Sequence, residues 1–356
     1  MVRLDMKRMT VLRESGYVFV MGKREEFCRV CKHKATTVVN QIGRHPNAAD
    51  GEPLTADGGH SRLEKTMSLL TKTLLFPLIA VLLAGCATAP VNHVSSDAPY
   101  AVPLERLSKT RPVIGLVLGA GGSRGFAHVG VLKALEAAGV EADVLVGVSS
   151  GAVVAALHAG GMRAKELETH ALEIEDNDLL DFTLFGPGVI EGRRLQRYIN
   201  DMVGGRPIEA LQKPFAAVVA ERSTSRMTVF NRGNTGLAVR ASASVPRLFW
   251  PVVIRGTEYV DGGVASRVPA AVAREMGADI VIAVDVSWRG SADARQADIV
   301  IRPETVRSRI TDFSHKLANL AAGESAAQEI VPQLRELLAR VAAEKSRSLR
   351  VGAAGA

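Results

Sequence analysis

Aromatic side chains make up only 4% of this 356-residue chain, so its core cannot rest on large rings. With 47% hydrophobic residues and 33 glycines, the packing material is Ala, Val, Leu and Ile, the usual composition of a parallel sheet covered by helices. Cysteine is equally scarce, with three residues in all. Cys28 and Cys31 form one CxxC with His33 close by, but no second ligand pair accompanies them and no metal site is assigned. An organised basic surface is also missing. The formal charge is +7, yet residues 1–85 hold 13 Lys+Arg against 8 Asp+Glu, whereas residues 86–356 hold 31 against 29. No Arg/Lys stripe interleaved with aromatics occurs in the larger part, which excludes nucleic acid as the expected partner.

What is present begins with a leader. Residues 67–86 carry one cation near their start, an uncharged apolar stretch over 74–85, and then Leu83-Ala84-Gly85-Cys86. The stretch fits a signal-peptide h-region and falls short of the ~20 residues of a spanning helix. Its end resembles the lipobox of bacterial lipoproteins. That resemblance implies that Cys86 is diacylated, becomes the mature N-terminus and holds the protein to a membrane. Met67 is then the expected start, residues 1–66 a non-native upstream extension, and 86–111 a polar linker. Ala87 lacks the negative charge that retains enterobacterial lipoproteins at the inner membrane, so an outer-membrane protein facing the periplasm is expected. The mature chain would hold one cysteine and no disulfide.

The chemistry lies in two strand-turn-helix units. Residues 112–118 read as a buried strand opening into Gly119-Ala120-Gly121-Gly122-Ser123-Arg124-Gly125, with an amphipathic helix after it. A glycine turn at a helix start presents free N–H groups to an anion, either a phosphate or a developing oxyanion. Residues 143–148 read as a second strand, followed by Gly147-Val148-Ser149-Ser150-Gly151 and an Ala-rich helix. This is G-x-S-x-G in the setting of a nucleophile elbow, where a Cβ at either glycine would collide with neighbouring backbone. Ser149 holds the middle of the frame; Ser150 is expected to satisfy a free N–H of the helix start.

A serine nucleophile needs a base. Among the histidines, only His315 follows an acid in the Ser…Asp…His order of α/β-hydrolases, and His128 stands near the glycine loop with a structural task expected. The alternative is Asp261, where a strand ends in Asp261-Gly262-Gly263.

Together these residues resemble the patatin-like phospholipase family, especially bacterial members related to the esterase domain of neuropathy target esterase. The match covers about residues 112–304: the two glycine motifs, Gly188 to Gly192 with Leu195, the block 241–249, Asp261-Gly262-Gly263, and 297–303. The resemblance implies a Ser149–Asp261 dyad without histidine or cofactor, hydrolysing lipid esters as a phospholipase A or lysophospholipase. It also implies oxyanion donors at Gly121, Gly122 and Ser123, with Arg124 near the head group or steadying the loop. Ala120, Arg247 and Trp250 depart from the family pattern.

Alternating strands and helices predict an α/β domain over 112–304, with a doubly wound, mostly parallel sheet flanked by helices. A tail at 305–356 is expected to hold two helices, near 306–322 and 326–344. The acidic run 173–181 reads as a solvated helix end rather than a calcium site. Two rival functions fit less well. A dinucleotide-binding protein is disfavoured because Arg124 stands where G-x-G-x-x-G has its third glycine. A non-catalytic surface lipoprotein would leave Ser149 unreactive.

Overall fold

The computed structural model describes residues 89–354, residue 185 excepted. The leader, Cys86 and the Cys28–Cys31 pair lie outside the described residues. Strands β2 (Ile114–Leu118), β3 (Val144–Val148) and β8 (Ile280–Val284) are five-residue runs buried throughout. They pair in parallel, β3 and β8 flanking β2. Strand β4 (Phe215–Glu221) extends the parallel set beyond β3, and β9 (Ile299–Ile301) extends it beyond β8. Alternate residues feed two cores: Leu116 and Leu118 face one, Val113 and Val117 the other. Burial on both faces explains why these strands read as continuous apolar runs.

The remaining pairs, antiparallel except for β1–β6, define the far edge. β5 (Met227–Phe230) and β7 (Thr257–Asp261) pair with β4, β6 (Val252–Ile254) pairs with β7, and β1 (Asn92–His93) runs parallel to β6. One edge of β4 is occupied along its length by β5, which faces Ala217 to Ala220. Its other edge is shared. β3 takes residues up to Val218, opposite Val148, and β7 takes Val219 onward, with Asp261 opposite Val219. The C-terminal ends of β3 and β7 therefore meet on successive rungs.

The winding is lopsided. Helices α1 (Phe126–Ala137), α2 (Ser150–Ala159), α3 (Ala164–Glu173), α5 (Arg193–Met202), α6 (Thr235–Ser242) and α8 (Lys316–Ala354) pack into one core, with the short α4 (Asp176–Leu179) ahead of α5. Only α7 (Ala270–Glu275) contributes to the other.

Two expectations about the flanks change. The stretch read as a linker is laid against the domain: Val102 exchanges two hydrogen bonds with the Asn231 side chain, and Lys109 and Arg111 both pair with buried Asp143. The tail is one helix, not two. Pro332 lies inside α8 and removes a ladder hydrogen bond, but buried Leu320, Ala327 and Leu334 hold the helix together by packing. A Cβ at Gly130 or Gly323 would strike the backbone of the other helix, so α1 and α8 cross with their backbones in contact. No described helix is long and apolar enough to cross a membrane.

Candidate active site

Ser149 sits between the end of β3 and the start of α2 with φ 56° and ψ −125°, a backbone conformation that costs a non-glycine residue about 1–3 kcal/mol. Its neighbours enforce the turn. A Cβ on Gly147 would run into Ala152, and one on Gly151 into the Leu118 carbonyl, so both glycines have the mechanical role expected of them. The Ser149 N–H donates to Ser242 Oγ at 3.0 Å, and Ser242 in turn donates to the Val218 carbonyl at 2.6 Å. Ser242 had no assigned role in the sequence, although it lies within the 241–249 block. The Ser149 hydroxyl makes no capping hydrogen bond to α2.

Asp261 ends β7 on the adjoining rung. Its N–H donates to the Ser244 carbonyl at 2.8 Å, and its Oδ1 accepts from the Gly263 N–H at 2.7 Å. The side chain is buried, and Oδ2 has no hydrogen-bond partner. Desolvation therefore lifts its pKa to about 6; the Ser149 hydroxyl, the Gly263 N–H and the Arg267 charge pull the other way without prevailing.

The glycine loop is held residue by residue. Gly119 donates to Val284, Ala120 donates to Arg267, and the Gly121 carbonyl accepts from both the N–H and Nε of Arg124 at 3.3 and 3.1 Å. Because a trans peptide points its C=O and N–H in opposite directions, Arg124 turns the Gly122 N–H to the far side of that peptide. Arg124 steadies the loop, one of its two expected roles. Among the described residues the Gly121 and Gly122 N–H groups donate to no protein acceptor. Ser123 differs from expectation: its N–H already donates to the Ile310 carbonyl at 2.9 Å, so the third oxyanion donor is occupied.

Other candidates separate clearly. His128 is fully buried, donates through Nε2 to the Gly119 carbonyl at 2.8 Å, and is pushed down to about 4 by desolvation, which makes it a neutral brace for the loop. His315 stands in the turn before α8; among the described residues no hydrogen bond or ion pair joins any histidine to Ser149 or Asp261. Ser150 does not cap α2. Its hydroxyl is buried against Gly125 without a partner. The acidic run holds a helix end: Glu173, Glu175, Asp176 and Asp178 are exposed, and Asp181 accepts from the N–H groups of Gly192 and Arg193 at the start of α5. Among the described residues no group of three His, Cys, Asp or Glu side chains is placed to hold a metal ion. Trp250 donates to the Gly188 carbonyl and pins that loop, while Arg247 adopts φ 68°.

A cavity with almost wholly apolar walls is lined by Gly122 and Ser150, by Val129 of α1 and Leu157 of α2, and by Leu167, His170 and Tyr198. Ser149 adjoins Ser150 in the chain, and neither Ser149 nor Asp261 lines the cavity itself.

Residues 116–274 match the family profile described as patatin-like phospholipase. The chain is 30% identical to an uncharacterized NTE family protein of Mycobacterium tuberculosis over 64% of its own length, and it spans 63% of that relative. It is 35% identical to patatin-like phospholipase domain-containing protein 6 of Homo sapiens over 52% of this chain and 14% of that one. Among solved structures, VipD from Legionella pneumophila superposes with a TM-score of 0.48 at 14% identity, over 65% of this chain and 71% of that one. The mixed, mostly parallel sheet with flanking helices is a patatin-like fold. Residues 116–274 form a patatin-like phospholipase domain.

Proposed function

We propose that this chain is a serine acyl hydrolase of lipid carboxylic esters, of the phospholipase A or lysophospholipase type, working through Ser149 and Asp261. The observation that carries the reading is the buried carboxylate beside the elbow serine, with a free Oδ2 and a pKa raised to about 6. An ordinary carboxylate is too weak a base for an alcohol; desolvation narrows that gap. In the acylation step Ser149 Oγ attacks the ester carbonyl carbon and its proton passes to Asp261. The carbonyl oxygen gains the negative charge and is stabilised by the Gly121 and Gly122 N–H groups. Collapse expels the alcohol, which takes the proton back from Asp261, and water then releases the acyl group by the same route. Each oxyanion donor is worth ~10²–10³ in rate. The apolar cavity lined in part by Gly122 and Ser150 supports an acyl chain as the part of the substrate held.

A fluorophosphonate probe followed by peptide mapping tests the enzyme class and the nucleophile together. A label on the peptide containing Ser149 is expected; a label elsewhere, or none, sinks the reading.

For location, we propose that Cys86 carries the lipid anchor and that the domain faces the periplasm from the outer membrane. Support comes from residues 67–86, and two or three acyl chains at ~0.8 kcal/mol per buried methylene would hold stably. Cys86→Ser should leave an unprocessed precursor. Recovery of the native protein wholly in a detergent-free soluble fraction would count decisively against the anchor.

A further inference from the structure

We infer that Ser123, Ser308 and Asn319 are positioning residues that set the aim of the Gly121 and Gly122 N–H groups by tying the glycine loop to the chain segment after β9. The inference rests on Ser149 being the nucleophile. It begins from a mechanical difficulty: four of the seven residues from Gly119 to Gly125 are glycine, the residue with most backbone freedom to lose. An oxyanion site works only when its donors are fixed before the charge develops.

The first half of the loop is fixed by β8, by Arg267, and by the bonds of Arg124 and His128. The second half is fixed from the C-terminal segment. Ser123 N–H donates to the Ile310 carbonyl, and Ser123 Oγ donates to the Arg309 carbonyl at 2.9 Å. With its only hydroxyl proton used there, Ser123 Oγ accepts the 3.0 Å bond from Ser308 Oγ. Gly122 packs its Cα directly on Ile310, where a Cβ would collide with backbone.

Asn319 closes the circuit. It is fully buried on α8, accepts the Val306 N–H through Oδ1 at 2.8 Å, and reaches the Ser123 carbonyl through Nδ2 at 3.5 Å. α8 in turn crosses α1, the helix that the glycine loop itself opens, at the Gly130–Gly323 contact. Loop, α1, α8 and the 306–310 segment thus form a closed ring in which a shift of one member must move the others. Ser308, Asn319 and all of α8 lie beyond residues 116–274, the span matched by the family profile, whereas Ser123 lies within it.

The test uses Ser123→Ala and Ser308→Ala, which delete hydroxyls and leave every backbone N–H in place. Asn319→Asp joins them; it keeps the acceptor for Val306 but loses the donor to Ser123. Pre-steady-state acylation is measured with an activated oxo ester and with its thiono counterpart, whose sulfur accepts hydrogen bonds poorly. A misaimed oxyanion site should slow the oxo ester about 10–100-fold, as expected for small displacements of a catalytic group, with KM nearly unchanged. The thiono rate should change little, so the oxo-to-thiono ratio falls. General loss of structure would lower both rates together. If the wild type is acylated at Ser149 but the variants keep its oxo-to-thiono ratio, the brace is overturned. If the wild type is not acylated at Ser149, the underlying reading fails instead.

Discussion

Ser149 and Asp261 are brought together by a single strand edge: β3 delivers the serine one residue past its rung with Val218, and β7 arrives from the opposite direction to end at Asp261 on the rung of Val219. Neither residue depends on a flexible loop for its approach. A Cβ on Gly262 would meet the Val218 carbonyl and crowd the Val148 side chain, so the backbone after Asp261 is pressed into the same join. The proximity of the two residues is therefore written into the sheet register, and its precision is that of a strand ladder.

Asp261→Asn should abolish acylation while making the protein more stable at neutral pH. Folding raises the Asp261 pKa from 3.8 to about 6, so the folded state binds this proton more tightly than the unfolded chain does. The stability this provides is complete below the unfolded value and is lost as pH rises through about 6. Above that pH the buried charge costs up to ~3 kcal/mol, at about 1.4 kcal/mol for each tenfold change in the acidity constant, and the neutral amide avoids that cost. Thermal unfolding at pH 8 should show the Asp261→Asn variant above wild type, and at pH 4 the gap should close. A lower Tm for the variant at pH 8 would contradict the desolvation argument.

The same pKa governs activity. Only ionised Asp261 can accept the serine proton, so kcat/KM should fall about tenfold per pH unit below about 6 and level off above it. An activity profile centred on a group that ionises well above 7 would require a different base.

Ser149→Gly should be inactive yet more stable than wild type by about 1–2 kcal/mol, because glycine tolerates φ 56° without the strain the serine carries. Ser149→Ala keeps the strain and should unfold near the wild-type temperature. Chemical denaturation of the two variants separates backbone strain from loss of the hydroxyl.

His315 offers the sharpest contrast with a histidine-dependent triad. Among the described residues it makes no bond to either member of the pair, so His315→Ala should retain activity near wild type while Asp261→Asn falls to background. Loss of a general base commonly costs ~10²–10⁴. The reverse ranking would place the chain among enzymes that use a Ser-His-Asp relay.

Much of this site was legible in the residues alone. β2 and β3 announce themselves as short apolar runs that break into glycine, and the elbow glycines could be assigned their roles because a five-residue turn is a local problem. Contacts between segments distant in sequence were not legible. Nothing in the Asp261-Gly262-Gly263 string says that β7 shares an edge with β3, and nothing near Ser123 says that its N–H is occupied by Ile310. The tail reads as two helices with a break between 322 and 326, but packing of α8 against α1 carries one helix through that point.

The apolar cavity predicts how chain length will be read. Gly122 of the glycine loop and Ser150, next to Ser149, line one part of it and Leu167, Ala171 and Tyr198 another, so an acyl group on Ser149 is expected to extend toward Leu167, Ala171 and Tyr198. Ala171 is partly buried in the wall, and Ala171→Phe would add a ring there without replacing any residue of the elbow, the glycine loop or Asp261. Short acyl esters should then be hydrolysed at close to the wild-type rate. Long-chain esters should lose the contribution of each methylene that no longer fits, ~0.8 kcal/mol apiece or about fourfold, so three excluded methylenes give a loss of about 60-fold in kcat/KM. The measurement is kcat/KM across a series of p-nitrophenyl esters of increasing chain length. A uniform drop at every length would mean that the substitution disturbs the site itself, and an unchanged series would mean that the acyl chain lies elsewhere.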